Sequence, residues 1–321
     1  MIFVLAALVG FGIALPHMVP LERAAPAVAV SMWLAALALR ALTGVYVVYF
    51  AVFYVPETEL FTALTRWCWH AVVPGMSAHL GFSGHQFGDA AAIAPAVALA
   101  LSAVSVIWAL TRAARAVQRQ LRRLAVGPGP SGSVIVGGSS VVVAAAGISR
   151  PRVVVSAGAL TAFDDAELAA SVDHEHGHIA RRHRFAVVFG ELCRAVGRLV
   201  PGARRAIEEL EFHLERDADE YAVARLHDPL DLASAICKAA GTGASRGAVL
   251  SLYGSRNVTH RVRLLTQDHG RISSDFVNRC ATAAAVGMTT LVLALVVSIP
   301  AATAAGMSRA AAPAAVISCP R

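Results

Sequence analysis

Charge is nearly absent from four long stretches of this chain and crowded into one block between them. Ile2 to Leu21 carries no formally charged residue, Ala24 to Pro56 carries only Arg40, and Ala90 to Thr111 and Ala281 to Ser308 carry none. A helix that crosses a bilayer needs ~20 mostly apolar residues. Each stretch is long enough, so four spans are expected. Arg112 to Arg279 holds 23 of the 28 basic side chains and 17 of the 21 acidic ones. A block of about 170 residues suffices for one water-facing domain. The whole chain of 321 residues is only 15% charged, against ~25% in ordinary soluble proteins. A soluble globule is excluded on that ground, and a purely helical membrane bundle is excluded by the charged block. The first span lacks a basic segment ahead of it and a small-residue cleavage site near its end, so it is expected to be retained and not removed as a signal peptide.

Arginines near the span ends set the orientation. Arg112, Arg115, Arg119, Arg122 and Arg123 follow the third stretch, and Arg271 and Arg279 precede the fourth. The loop Glu57–Asp89 holds only Arg66 against three acids. The expected layout is residues 1–110 as three spans with an outer loop at about 57–89, a cytoplasmic domain at 111–280, a fourth span at 281–308 and a short outer tail at 309–321. Both termini then lie outside a cell membrane. Arg40 is costly inside a span unless it snorkels or meets backbone carbonyls, since no span supplies a carboxylate. Lys238 is the only lysine, and the arginines stand among acids instead of forming a stripe, so no direct nucleic-acid binding is expected. The five cysteines make neither a disulfide scaffold nor a CxxC metal site. Only Cys68 and Cys319 fall outside under this layout, and they are expected to pair as a disulfide pinning the tail to the outer loop. The plainer alternative is that Cys68, between Trp67 and Trp69, is one more apolar residue.

Within the charged block, Ser133–Val136, Ser140–Ala145 and Arg152–Ser156 are short β-branched runs that predict strands of a small sheet. Pro128–Gly132 predicts a turn after a basic helix. Asp164 followed by Glu167 predicts a capping box opening a helix that runs to about His183. That helix contains His174-Glu175-His176-Gly177-His178. Positions i and i+4 share a helix face, so His174 and His178 can turn two imidazoles to one ion, with Glu175 beside them as general base. This is the HExxH arrangement of zinc hydrolases. His176 and His183 fall off that face. A catalytic zinc takes three protein ligands and keeps one position open. The helix-period segment Arg204–Leu226 offers Glu215 as the third ligand, with Glu211 and His213 as lesser candidates, and Asp219 as the carboxylate that orients a histidine. A histidine-rich solvated helix is the plainer explanation, but it accounts neither for the cap nor for the half-buried acidic helix.

RVVVSAGALTAFDDAELAASVDHEHGHIARRH, Arg152 to His183, resembles the strand, cap and active-site helix of membrane-bound gluzincin peptidases, and LERDADEYA, Leu214 to Ala222, resembles their second motif, E-x-x-A-D. The four spans, with the charged domain between the third and fourth, resemble the BlaR/MecR type, bacterial membrane receptors that cleave a cytoplasmic repressor. The resemblance implies an α-helical membrane protein with four transmembrane helices and a cytoplasmic α+β gluzincin-type zinc peptidase domain. It implies one Zn2+ per chain on His174, His178 and Glu215, Glu175 as catalytic base and Asp219 behind the ligands. Val258–Val262 and Leu265 faintly resemble a late R-[IV]-x-x-L segment, for which a surface arginine is the expected reading. The chain departs from BlaR/MecR after the fourth span, where only 309–321 follows and no penicillin-binding domain stands. An acylating S-x-x-K motif needs a lysine, and Ser234 lies four positions before Lys238 and not three.

The expected function is a zinc metalloendopeptidase in a bacterial plasma membrane. Its expected partners are the lipid bilayer and a protein substrate, a DNA-binding repressor by resemblance. One alternative is a quality-control peptidase of the HtpX/Ste24 type, which shares the motifs. The other is a non-catalytic signalling or scaffold membrane protein.

Overall fold

The computed structural model describes residues 2–53, 85–147, 151–241, 255–267 and 275–310. These are mostly helical, with one small sheet. Cys68 and Cys319 lie outside the described residues, as does most of the expected outer loop.

Among the described residues, three helices are long and apolar enough to cross a membrane: α2 (Pro26–Phe53) over Pro26–Ala51, α3 (His85–Leu124) over Ala96–Ala113, and α10 (Asp275–Ala310) over Asp275–Ile299. The first charge-free stretch forms a shorter apolar helix, α1 (Ile2–Met18), of 17 residues. Pro20 and a single 3-10 turn at Leu21–Arg23 end it and reverse the chain into α2.

α2 is the spine of the molecule. Met32, Leu37 and Leu39 are fully buried, packed with Ile207, Leu210 and Leu214 of α7 (Ala203–Val223) and with Ala281 and Met288 of α10. Arg40 is 2% exposed and reaches carbonyls as the sequence suggested: Nη1 donates to Ala36 O at 3.2 Å, Nε to Pro201 O at 3.4 Å and Nη2 to Ile13 O at 3.5 Å. His17 Nε2 lies 3.3 Å from Nη2.

The sheet has strand order β1-β2-β4-β3, with β1 Ala125–Pro128, β2 Val134–Val136, β3 Val143–Ala146 and β4 Arg152–Ser156. β2 runs parallel to β4, while β1–β2 and β3–β4 are antiparallel. The second to fourth strands fall within about three residues of the expected runs. β1 is an addition, since Ala-Val-Gly-Pro shows no alternation that would separate it from a helix end. Val153 and Val155 of β4 turn inward onto Phe163 and Val172. Strand β3 forms one edge, beside the helix that bears the histidines.

That helix, α5 (Asp165–Ala180), follows the short α4 (Ala157–Ala162). It opens with the expected capping box: Glu167 N–H donates to Asp164 Oδ1 at 2.8 Å, and Asp164 N–H donates to Glu167 Oε2 at 3.0 Å. It stops at Ala180, short of His183. Arg182 takes a left-handed conformation (φ 56°, ψ 34°) and the chain turns into α6 (His183–Val196). α8 (Pro229–Gly241) and α9 (Ser255–Gln267) complete the domain.

Candidate metal centre

Two helices bring the site together. α5 and α7 pack at Gly177, where an added Cβ would lie 3.0 Å from Tyr221 Cβ and 3.2 Å from Ala218 Cα. A side chain here would press its neighbours apart by a few tenths of an ångström. Beside that contact, His174 and His178 of α5 meet Glu215 of α7.

His174 Nε2 and His178 Nε2 are 3.2 Å apart, His178 Nε2 is 3.3 Å from Glu215 Oε1, and His174 Nε2 is 3.4 Å from Glu215 Oε2. A tetrahedral zinc site has arms of about 2.0–2.1 Å, which sets ligand–ligand edges at about 3.3–3.4 Å. The triangle therefore matches one face of that tetrahedron, and the ligand set suits a divalent metal. Glu211 and His213 are not part of this group. His213 instead faces Arg216, Nδ1 to Nη1 at 3.0 Å. Burial, with Arg216 and His260 nearby, lowers it to about 3. Glu211 lies one turn before Glu215, raised to about 7 by burial and by Glu191, Glu208 and Glu215.

The field at the triangle is negative. Burial by itself would raise Glu215 and lower His174. Arg261 and the histidines instead hold Glu215 well below the usual carboxylate range, and Asp219 and Glu215 push His174 up to about 10. Asp219, where burial is likewise outweighed by Arg261 and His174, is also lowered. Its Oδ1 stands 2.9 Å from His174 Nδ1, a close charge contact poorly aligned for a ring N–H. Among the described residues, Glu215, Asp219 and Glu175 bring three carboxylates, and one guanidinium is bonded to two of them.

That cation is Arg261 on α9. It is not the surface arginine the sequence suggested. Its Nη1 donates to Glu215 Oε2 at 2.6 Å, Nη2 to Asp219 Oδ1 at 2.6 Å and Nε to Asp219 Oδ2 at 2.9 Å. It occupies one oxygen of Glu215 and leaves Oε1 toward His178.

Glu175 turns aside from the ligands, toward the sheet. Its Oε2 accepts the N–H of Ala145 at 2.6 Å. Ala145 belongs to edge strand β3, and this N–H points away from β4. His176 pairs with Asp173 at 3.3 Å and takes no part in the triangle. His183 comes closer than its sequence position implied: its Nδ1 lies 2.9 Å from His178 Nδ1 and its Nε2 lies 2.8 Å from Asp217 Oδ2. Burial holds His183 below its ordinary value even with Asp217 opposing.

No protein-family profile, curated protein or solved structure matches the chain, so the site is read from its own geometry.

Proposed function

We propose that the chain is a zinc-dependent membrane endopeptidase, and the observation that carries this is the ligand triangle of His174, His178 and Glu215 with Glu175 next to it. A structural zinc usually closes with four protein ligands. Here three converge among the described residues, and the carboxylate beside them is not one of them. When bound, zinc supplies Lewis-acid polarisation of a carbonyl and acidifies water. Glu175 then takes the proton of the attacking water and hands it to the leaving amine. The N–H of Ala145 keeps that carboxylate at the sheet edge. Strand β3 stands at the edge of the sheet beside Glu175, and a substrate chain lies along it as an added strand. Arg261 holds Glu215 and Asp219 ionised and in place.

The substrate class follows from the charge layout and the resemblance: a cytoplasmic protein, a DNA-binding repressor cut in response to a signal. The domain then faces the cytoplasm of a bacterium and the termini lie outside.

The test uses purified full-length protein in detergent. Wild type should hold about one zinc per chain and cut an unstructured peptide. Glu175→Gln should keep the zinc and lose turnover by at least ~10²-fold, and His174→Ala should lose both. Equal zinc loss in the two variants, or peptide cleavage by Glu175→Gln, would refute the division between Glu175 as base and His174 as ligand. Cleavage of a winged-helix repressor encoded beside the gene, and not of unfolded membrane proteins, would separate the antirepressor role from quality control.

A further inference from the structure

We infer that Asp217 and His183 form a hydrogen-bonded relay that fixes the tautomer of His178 and so presents its Nε2 lone pair to the metal; this rests on the metal-peptidase reading above. Both residues are buried, at 4% and 5% exposure, and each ring nitrogen of His183 faces a protein partner. His178 and His183 meet edge to face, with ring centroids 4.9 Å apart.

A metal on His178 Nε2 sets the direction of each bond. A ligating Nε2 carries no proton, so the ring keeps its proton on Nδ1, and the 2.9 Å contact makes His183 Nδ1 the acceptor. The proton of His183 then sits on Nε2, which donates to Asp217 Oδ2 at 2.8 Å. Asp219 stands directly beside His174 Nδ1, whereas Asp217 reaches His178 through an intervening ring. The left-handed turn at Arg182 makes this possible, because it folds the start of α6 back under the end of α5.

Arg181 fixes the far end. Its Nη1 donates to Asp217 Oδ1 and, at 2.9 Å, to Asp217 O, so only Oδ2 faces His183. This gives a variant that should invert the relay. In Asp217→Asn, Arg181 claims the amide oxygen and the NH2 group faces His183 Nε2. His183 Nε2 must then accept, its Nδ1 carries the proton and donates, and the His178 proton moves to Nε2, where the metal needs a lone pair.

The experiment is chelator competition for zinc on the full-length protein, with melting temperature as the check on folding. Asp217→Asn should weaken zinc binding by about 10- to 100-fold. Arg181→Met combined with Asp217→Asn frees the amide to turn its oxygen to His183, and affinity should recover most of the way. His183→Phe, which removes the relay without inverting it, should show a smaller loss and carries the test if Asp217→Asn does not fold. Unchanged affinity in Asp217→Asn or in His183→Phe overturns the relay. So does an equal loss in the single and double variants, which is what a merely structural role predicts. Absence of zinc from the wild type would instead overturn the peptidase reading itself.

Discussion

Arg261→Met tests whether the arginine and the metal share the task of neutralising the same carboxylates. Arg261 donates three hydrogen bonds to Glu215 and Asp219, which are only 5% and 6% exposed. Removing one partner of a buried ion pair costs about 3–5 kcal/mol, because the other charge stays buried and unpaired. In a domain of this size each kcal/mol corresponds to roughly 2–4 °C of melting temperature, so chelator-treated Arg261→Met should melt on the order of 10 °C below wild type. A dication bound at His174, His178 and Glu215 supplies the missing neutralisation, so the deficit should shrink with zinc present. The quantity to read is the rise in melting temperature on adding zinc, by scanning fluorimetry in detergent. It should be several degrees larger for Arg261→Met than for wild type. Arg204→Met, whose guanidinium side chain is 89% exposed, should show the wild-type rise. An equal or smaller rise in Arg261→Met would refute the argument.

Two further outcomes follow from the packing of α5. Glu167 accepts from Lys238 Nζ and Ser234 Oγ, both at 2.6 Å, and caps the helix; these bonds outweigh burial and hold its carboxyl below the usual value. A lowered carboxyl stabilises above the ordinary value of about 4.3 and loses that contribution as pH falls through its own lowered value, so Glu167→Gln should cost ~1–2 kcal/mol near neutral pH, and the melting curves of variant and wild type should converge below about pH 4. Gly177→Ala should force α5 from α7 at a cost of ~1–3 kcal/mol and weaken zinc binding as well; chelator competition showing full affinity would contradict the close approach at Ala218.

What was legible in the sequence was local. The i, i+4 spacing of His174 and His178, the Asp164–Glu167 cap and the acidic helix with Glu215 and Asp219 each follow from one helix's period. The carbonyl partners of Arg40 were legible because the apolar stretches around it supply no carboxylate. Arg261 was not, since its pairing with Asp219 joins residues 42 apart on different helices and only packing decides it. His183 was missed for another reason. On a continued α5 it would point away from the metal face, and nothing in Ala180-Arg181-Arg182-His183 marks a helix end: no glycine and no proline stand there to predict the left-handed Arg182. The first charge-free stretch makes a shorter helix than expected for the same kind of reason, because an uncharged run up to Leu21 hides the break at Pro20.

The geometry of the site is set by two helices answering to different neighbours. α7 is tied to α2 at both ends of their contact. Pro201, just before α7, accepts from Arg40, and Arg216 donates to Leu21 O at 3.3 Å and Glu22 O at 2.9 Å. Between these ties lie Ile207, Leu210 and Leu214, all buried on α2. The two helices therefore run antiparallel along this contact. Glu215, next to the second tie, is held at a fixed height on the apolar helix. His174 and His178 answer instead to the sheet, since α5 packs through Val172 on Val153 and Val155. The ligand triangle is closed where these two frameworks touch, at Gly177 against Ala218 and Tyr221. The glycine between the two histidines lets these frameworks meet closely, and so bears on the distance between a carboxylate referred to the apolar helix α2 and two imidazoles referred to the sheet.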